Sequence, residues 1–404
     1  MSELRGVVGL LVILGVAFLA SNNRKRIPWR TVAVGLTAQI AFAVLVLRWS
    51  VGKDVLDFVS GQVEALIGYA DAGIEFLFGP LVADKEETIF ALQVLPVIIF
   101  IGALVGLLFY LRVIQWIVEI VGGAIAWALH TTKVESLYAA TVIFLGQSEA
   151  PLMIQSYLSR LTRSELFVVM TAGFASVAGS TLVGYALLGA PLPFLLAATV
   201  MNAPGALYMA KMMYPETEEV ASEGGVRDVR DTESANVIDA TARGAISGGR
   251  IAVIVGCLLI AFISLIALAN GLLGGVGEWF GADDLTFQKV LGWAFAPVAW
   301  LIGVPWDEAA KAGTYLGEKT VLNEFVAYAD FGPDVESLSP QTVVVVTFAL
   351  AGFANFSSIA IQIGAIGGLA PDRRGDVARF GLRALLAGSL VNLANAAIAG
   401  VVAT

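Results

Sequence analysis

Apolar runs recur along the chain, each closed by polar or basic residues. A helix needs about 20 apolar residues to cross a bilayer core. Runs near that length stand at about Gly6–Ala20, Thr31–Trp49, Ile89–Tyr110, Glu165–Leu188, Phe194–Met213, Ile246–Leu273, Thr342–Leu369 and Phe380–Val402. Other patterns lie between them. Asp54–Phe78 keeps Val55, Phe58, Val59, Val63, Leu66, Ile67 and Ala70 at helical spacing, but Asp57, Glu64, Asp71 and Glu75 interrupt it. That pattern predicts an amphipathic helix on the outer membrane surface rather than a span. Val113–His130 is apolar but broken by Glu119 and Gly122-Gly123, and Phe287–Gly303 resembles it. Both read as interfacial helices. Ser136–Arg160 and Trp306–Phe331 each carry short arms around a polar tip, Gly146-Gln147-Ser148-Glu149 in one and Asn323-Glu324 in the other. Irregular backbone at membrane depth is tolerated only where it is buried in protein or lines a cavity. Both therefore read as re-entrant hairpins. The expected fold is an all-α polytopic membrane protein with about eight transmembrane helices plus two re-entrant hairpins.

Composition sharpens this picture. The chain has 404 residues, of which 58% are hydrophobic and 14% charged, and the mean hydropathy is +0.82. Soluble domains carry about 25% charge. The net charge of −9 says little about partners. No sustained basic face suits nucleic acid, so none is expected as a partner. Cys257 is the single cysteine, which excludes an intramolecular disulfide, and its mid-span place predicts plain packing. Met1–Ala20 lacks a small-residue cleavage site before Arg24-Lys25-Arg26 and reads as a retained first helix. Arg24, Lys25, Arg26 and Arg30 place their loop in the cytoplasm, as Arg373 and Arg374 do theirs. Both termini then lie outside a bacterial cytoplasmic membrane. The acidic loop at Asp283-Asp284 is external, and the linker with Arg227, Arg230 and Arg243 is cytoplasmic. This orientation holds only if both hairpins re-enter. His130, at a helix end beside Thr131, Thr132 and Lys133, reads as a solvated terminus.

The two halves echo each other. Ala172-Gly173-Phe174-Ala175-Ser176 matches Ala351-Gly352-Phe353-Ala354-Asn355 about 179 residues later, and Glu149 and Glu324 are about 175 apart. Trp116 and Trp293 are about 177 apart. Each half runs through an interfacial helix, a polar-tipped hairpin, a broken span and a final span. The first hairpin starts inside and the second outside, so the repeat is inverted, as in secondary transporters. The expected organisation is a scaffold at residues 1–112, a first repeat at 113–213, a cytoplasmic linker at 214–245, a scaffold span at 246–286 and a second repeat at 287–404.

The broken spans carry Ser176, Gly179, Ser180 and Thr181 in one half and Asn355, Ser357 and Ser358 in the other. With Gln147, Ser148, Glu149, Asn323 and Glu324 they supply carboxylates, amides and hydroxyls. Acidic residues cost roughly 2.5–3.5 kcal/mol at mid-membrane, which marks Glu149 and Glu324 as functional. Ser180, Thr181 and Ser357 could equally serve helix packing. Carboxylates accept paired hydrogen bonds from vicinal hydroxyls, and amides read a ring edge. A neutral, hydroxyl-rich or heterocyclic solute fits; an anion does not. Lys311 and Lys319 are expected towards the hairpin base. A membrane-embedded enzyme would need a metal, a nucleophile or a lipid-facing cleft, and no H-E-x-x-H cluster is present. A channel suits inverted hairpins less than alternating access.

Gly146–Pro151, Asn323–Tyr328 and Gly352–Ser358 resemble signatures of the concentrative nucleoside transporter family, in its bacterial eight-span form. The likeness covers nearly the whole chain. It implies a homotrimer in the lipid bilayer, with one nucleoside site per protomer and elevator-like movement against a trimeric scaffold. It implies that Gln147 and Glu149 read the base, with Ser148 and Thr181 nearby and Phe353 against the ring. Glu324, Asn355 and Ser358 would hold the ribose. No cofactor is expected beyond a coupling ion. Sodium-coupled members carry asparagine four residues before the first hairpin's glycine, where this chain has Val142. Ser176 is retained, and the Leu145 and Val177 carbonyls could contribute to a sodium site. Loss of a side-chain oxygen favours proton coupling, with Glu324, or else Glu149, as the expected carrier. Sodium symport is the alternative.

Overall fold

The computed structural model describes residues 2–82, 89–220, 234–278 and 285–403. Asp283, Asp284, Arg227 and Arg230 fall outside them. The described residues are helical, with turns and short 3-10 segments between helices. α1 (Ser2–Leu19) and α2 (Trp29–Leu47) flank the Arg24–Arg26 turn. α3 (Ser50–Gly68), α4 (Ala70–Phe78), α5 (Phe90–Gln93) and α6 (Leu95–Tyr110) follow. α7 (Val113–Leu129) ends at His130, which is exposed and left-handed at φ 55°.

The first hairpin pairs α8 (Lys133–Thr141) with a 3-10 turn at Ala150–Ile154 and the four-residue α9 (Gln155–Leu158). Next come α10 (Arg163–Ala175), α11 (Gly179–Leu187), α12 (Leu192–Met213) and the 42-residue α13 (Val237–Glu278). α14 (Phe287–Leu301) bends 116° into α15 (Trp306–Val321). α15 and α16 (Glu324–Phe331) form the second hairpin. α17 (Pro340–Leu350), α18 (Phe356–Leu369) and α19 (Arg374–Val402) complete the chain.

Caps written in the sequence start these helices. Thr132 with Glu135 and Thr162 with Glu165 form capping boxes on α8 and α10. Asn323, Ser339 and Asn355 cap α16, α17 and α18, each accepting from a backbone N–H three residues on. The elements of the two halves correspond in order: α7 to α14, the first hairpin to the second, α10/α11 to α17/α18, and α12 to α19.

The hairpins enter from opposite ends of the molecule. At one end Ser159, at the first hairpin's base, donates to Asp372 (3.1 Å), and Arg373 bonds the Leu161 carbonyl. Asn22 N–H meets the Met213 carbonyl (3.1 Å), and Arg383 meets that of Ala20 (2.7 Å). The basic loops gather here. At the other end Val335 and Leu338, at the second hairpin's base, share a groove with Leu47, Pro193, Gln341 and Ala403. Gly6 lies against Val401, so both chain ends meet at this second end. α6 and α13 pair backbone to backbone. A Cβ at Gly244 would stand 2.4 Å from the Gly102 carbonyl oxygen, so only glycine permits the approach.

Among the described residues seven helices are long and apolar enough to cross a membrane, or eight if the bent α14–α15 pair is one span. Ser50–Val82, expected as an amphipathic helix on the outer surface, passes by length and composition alone, and is divided into α3, α4 and a 3-10 turn at Gly79–Val82. Its charges are spaced widely enough that Ala65–Val82 holds only Asp71 and Glu75. Cys257, expected in packing, is exposed on the outer face of α13.

Candidate functional site

The tips and the breaks converge. The first hairpin's tip reaches α11, where Gly179 N–H donates to the Phe144 carbonyl (3.1 Å). The two breaks touch directly through Phe353 N–H and the Ser176 carbonyl (3.0 Å). Each break leaves helix-end carbonyls that need donors in a water-poor interior. One side chain supplies both: Asn392 Nδ2 of α19 donates to the Ala175 carbonyl (2.9 Å) and the Ala351 carbonyl (3.0 Å). Asn202 Nδ2 of α12 adds a second bond to Ala351 (3.0 Å). Behind them Asn395 joins Asn202 to Gln39 and Tyr208.

Glu324 opens α16 at the second tip and is 3% exposed. Its carboxylate accepts from Tyr185 Oη (2.9 Å) and Asn355 Nδ2 (2.8 Å). Tyr185 is held in place by stacking on Tyr328, with ring centroids 4.6 Å apart. Asn355 Oδ1 accepts from Ser358 N–H (2.9 Å) and Ser357 Oγ (2.7 Å). Gln147, at the first tip, donates to Ser358 Oγ (2.8 Å) and accepts from Gln362 Nε2 (3.1 Å). Four of the expected residues thus form one connected group: Glu324 with Asn355, Asn355 with Ser358, and Ser358 with Gln147. Phe353 closes the side next to the tip; a Cβ on Gly146 would lie 3.0 Å from Ala178 Cβ and 3.8 Å from Phe353 Cε2.

The other expected residues are less engaged. Glu149 folds back to accept from Gly146 N–H (3.0 Å) and is half-buried. Ser148 is exposed. Thr181 Oγ bonds the Ala178 carbonyl (2.9 Å), the local helix-side bond typical of packing hydroxyls. At the coupling-ion positions Val142, Leu145 and Val177 are buried apolar side chains. Ser176 Oγ donates to the Gly173 carbonyl (3.0 Å) while its own carbonyl takes the Phe353 N–H.

Lys319 corrects an expectation. It is 4% exposed and sits near the tip, donating to the Ala349 carbonyl (2.7 Å) and Asn392 Oδ1 (2.8 Å). The reason is helical phase: Lys319 shares a face with Ala312, Tyr315 and Leu316, all buried. Lys311, two turns nearer the base, pairs with Asp334 (2.7 Å), as expected. The sequence reading missed Tyr185, Lys319 and Asn392. That phase could have found Lys319. Nothing local distinguishes Asn392 from a packing asparagine.

The arrangement presents carboxylate acceptors and amide donors around an aromatic edge. Among the described residues no group of His, Cys, Asp or Glu could hold a metal ion. Such a lining suits a neutral polar ring system.

Family models described as the Na+ dependent nucleoside transporter N-terminus and C-terminus match residues 8–81 and 194–400. One described as nucleoside recognition matches 91–192. The chain is 51% identical to the uncharacterized transporter YutK of Bacillus subtilis, over 99% of both chains. It is 40% identical to the nucleoside permease NupC of Helicobacter pylori, over 99% of this chain and 97% of that one. The solved structure of CNTnw in an inward-facing substrate-bound state matches with TM-score 0.95 at 46% identity, covering 100% of this chain and 98% of that one. CNTnw variants have been solved in outward-facing and intermediate states. With a helical membrane fold, two opposed hairpins and a polar site at their tips, this chain belongs to the concentrative nucleoside transporter family, a family of transporters rather than enzymes.

Proposed function

We propose that the protein is a proton-coupled nucleoside symporter working by an elevator type of alternating access. The observation that carries the reading is the Glu324 carboxylate, set between Tyr185 and Asn355 and linked through Ser358 to Gln147. Glu324, Asn355 and Ser358 would exchange their mutual bonds for those of ribose hydroxyls. Gln147 and Glu149 would read the base, with Phe353 against its ring and Ser148 and Thr181 beside it. The names of relatives such as the nucleoside permease of Helicobacter pylori support this substrate class.

The basic end, with Arg24, Lys25, Arg26 and Arg373, would face the cytoplasm and both termini the outside of an inner membrane. Both hairpins would then re-enter from their own side. α13 exposes Ile254, Ile260, Ile263 and Leu268, a surface suited to lipid or to the contacts of a homotrimer. Proton coupling is favoured over sodium on the donor set. Val142 offers no oxygen, whereas a hard cation takes about six oxygens.

Uridine uptake into proteoliposomes, at varied pH and nearly free of sodium, tests this. Acid-stimulated uptake against the uridine gradient is expected. Sodium-dependent uptake indifferent to pH would establish the sodium alternative. Downhill equilibration alone would indicate a channel.

A further inference from the structure

Glu324 and Glu149 both meet hydrogen-bond donors, as ionised carboxylates require. One buried carboxyl in the second hairpin does not. Glu318 of α15 is 1% exposed, and its Oε2 is buried without a partner. The group set against it is a second carboxyl, Asp330 on the facing arm α16. Two ionised carboxylates this close repel, and a proton held between them turns the repulsion into a hydrogen bond. Glu318 is therefore satisfied only when the pair holds that proton.

The geometry points to the Glu318–Asp330 pair, not Glu324, as the site that binds the coupling proton. This rests on the proton reading of the function above. The pair spans the two arms of the hairpin that carries Glu324. With the proton bound, Glu318 donates to the Asp330 carboxylate and the arms are clipped together. When the proton leaves to water, two like charges face each other across the hairpin and push the arms apart, loosening Glu324 from Tyr185 and Asn355. Asp330 is exposed and gives the proton a path from solvent at the end opposite the basic loops. Proton binding thus closes the hairpin over substrate on the proposed outer side.

The surrounding charges are few. Lys311 and Asp334 act on Asp330 and are paired to each other, and Tyr315 donates to Asp334 (2.5 Å). From α14 only Lys289 carries a charge, and α17 has no titratable group. α13 has no charged residue between Arg250 and Glu278. Lys319 faces Asn392 rather than the pair.

The test uses the full chain in proteoliposomes, with labelled uridine outside and a pH-sensitive dye inside. Wild type should accumulate uridine and acidify the lumen. Glu318→Gln, which mimics the protonated form, should bind uridine and exchange it in counterflow but neither accumulate it nor carry protons. Asp330→Asn removes the negative neighbour that favours the proton on Glu318, so its acid limb of uptake should move to lower pH. An infrared band from a protonated carboxyl at neutral pH should be present in wild type and lost in Glu318→Gln. Proton-coupled accumulation by Glu318→Gln with the wild-type pH profile overturns the assignment and leaves proton coupling standing. Should that variant fail to fold, an Asp330→Asn profile superimposable on wild type overturns it alone. Sodium-driven uptake without proton influx in wild type overturns both readings.

Discussion

The two hairpins are repeats of one design, yet their charges are placed in opposite ways. In the first, every residue of α8 from Val134 to Thr141 is buried. Its base is closed by a buried ion pair: Glu135, 0% exposed at its side chain, meets Lys211 of α12 at 2.5 Å. Ser164 and Glu216 complete the cluster around the ammonium. In the second, the base pair Lys311–Asp334 is exposed at 45% and 32% of its side chains. There Glu308 of α15 accepts from the capping end of α17, at Ser339 N–H (2.9 Å) and Ser339 Oγ (2.7 Å). The buried ionisable groups of the second hairpin, Glu318, Lys319 and Glu324, lie towards its tip instead. A charge buried at the base fixes a hairpin to its neighbours. Charges buried near the tip make the conformation depend on what the tip binds. From this comparison we expect the first hairpin to act as a wall of the site and the second as a gate.

Four variants can break or sharpen that contrast. The largest effect is expected from Lys211→Ala, which strands Glu135 without its partner; breaking a buried pair costs about 3–5 kcal/mol. Thermal unfolding in detergent should show a much lower midpoint, and a midpoint near wild type would mean the first base is not a lock. Next is Glu324→Ala, expected to abolish uridine binding, because truncating a buried hydrogen-bonded charge costs about 2–5 kcal/mol of affinity. Calorimetric titration that still finds tight binding would remove Glu324 from the ribose site. Asn392→Ala leaves helix-end carbonyls short of donors on both breaks, at about 1–3 kcal/mol for each group left unsatisfied. It should lower stability without changing which nucleosides compete for uptake. Smallest is Lys311→Ala at the exposed base, expected within about 1 kcal/mol of wild-type stability. A loss matching that of Lys211→Ala would erase the distinction between wall and gate.

Most of the architecture could be read from local pattern. Apolar run lengths, the caps at Thr132, Thr162, Asn323, Ser339 and Asn355, and the repeat near Ala172 and Ala351 depend on residues close in sequence. The tips Gly146–Glu149 and Asn323-Glu324 stood out because polar groups inside apolar arms are costly. The α3–α4 stretch is borderline by pattern alone: Asp54, Asp57, Glu64, Asp71 and Glu75 interrupt it, yet its second half holds only Asp71 and Glu75.

Local chemistry therefore settled where the chain crosses, turns and breaks, and which residues are too polar to be there without a use. Partner choice was left to tertiary structure. Asn392 caps two helix ends at residues 175 and 351, far away in sequence. Lys319 reaches Asn392 rather than Glu324's oxygens, and Glu318 meets another carboxyl rather than a cation. A buried polar group must bond to whatever the fold places within about 3 Å, and that neighbour is fixed by packing across the whole molecule.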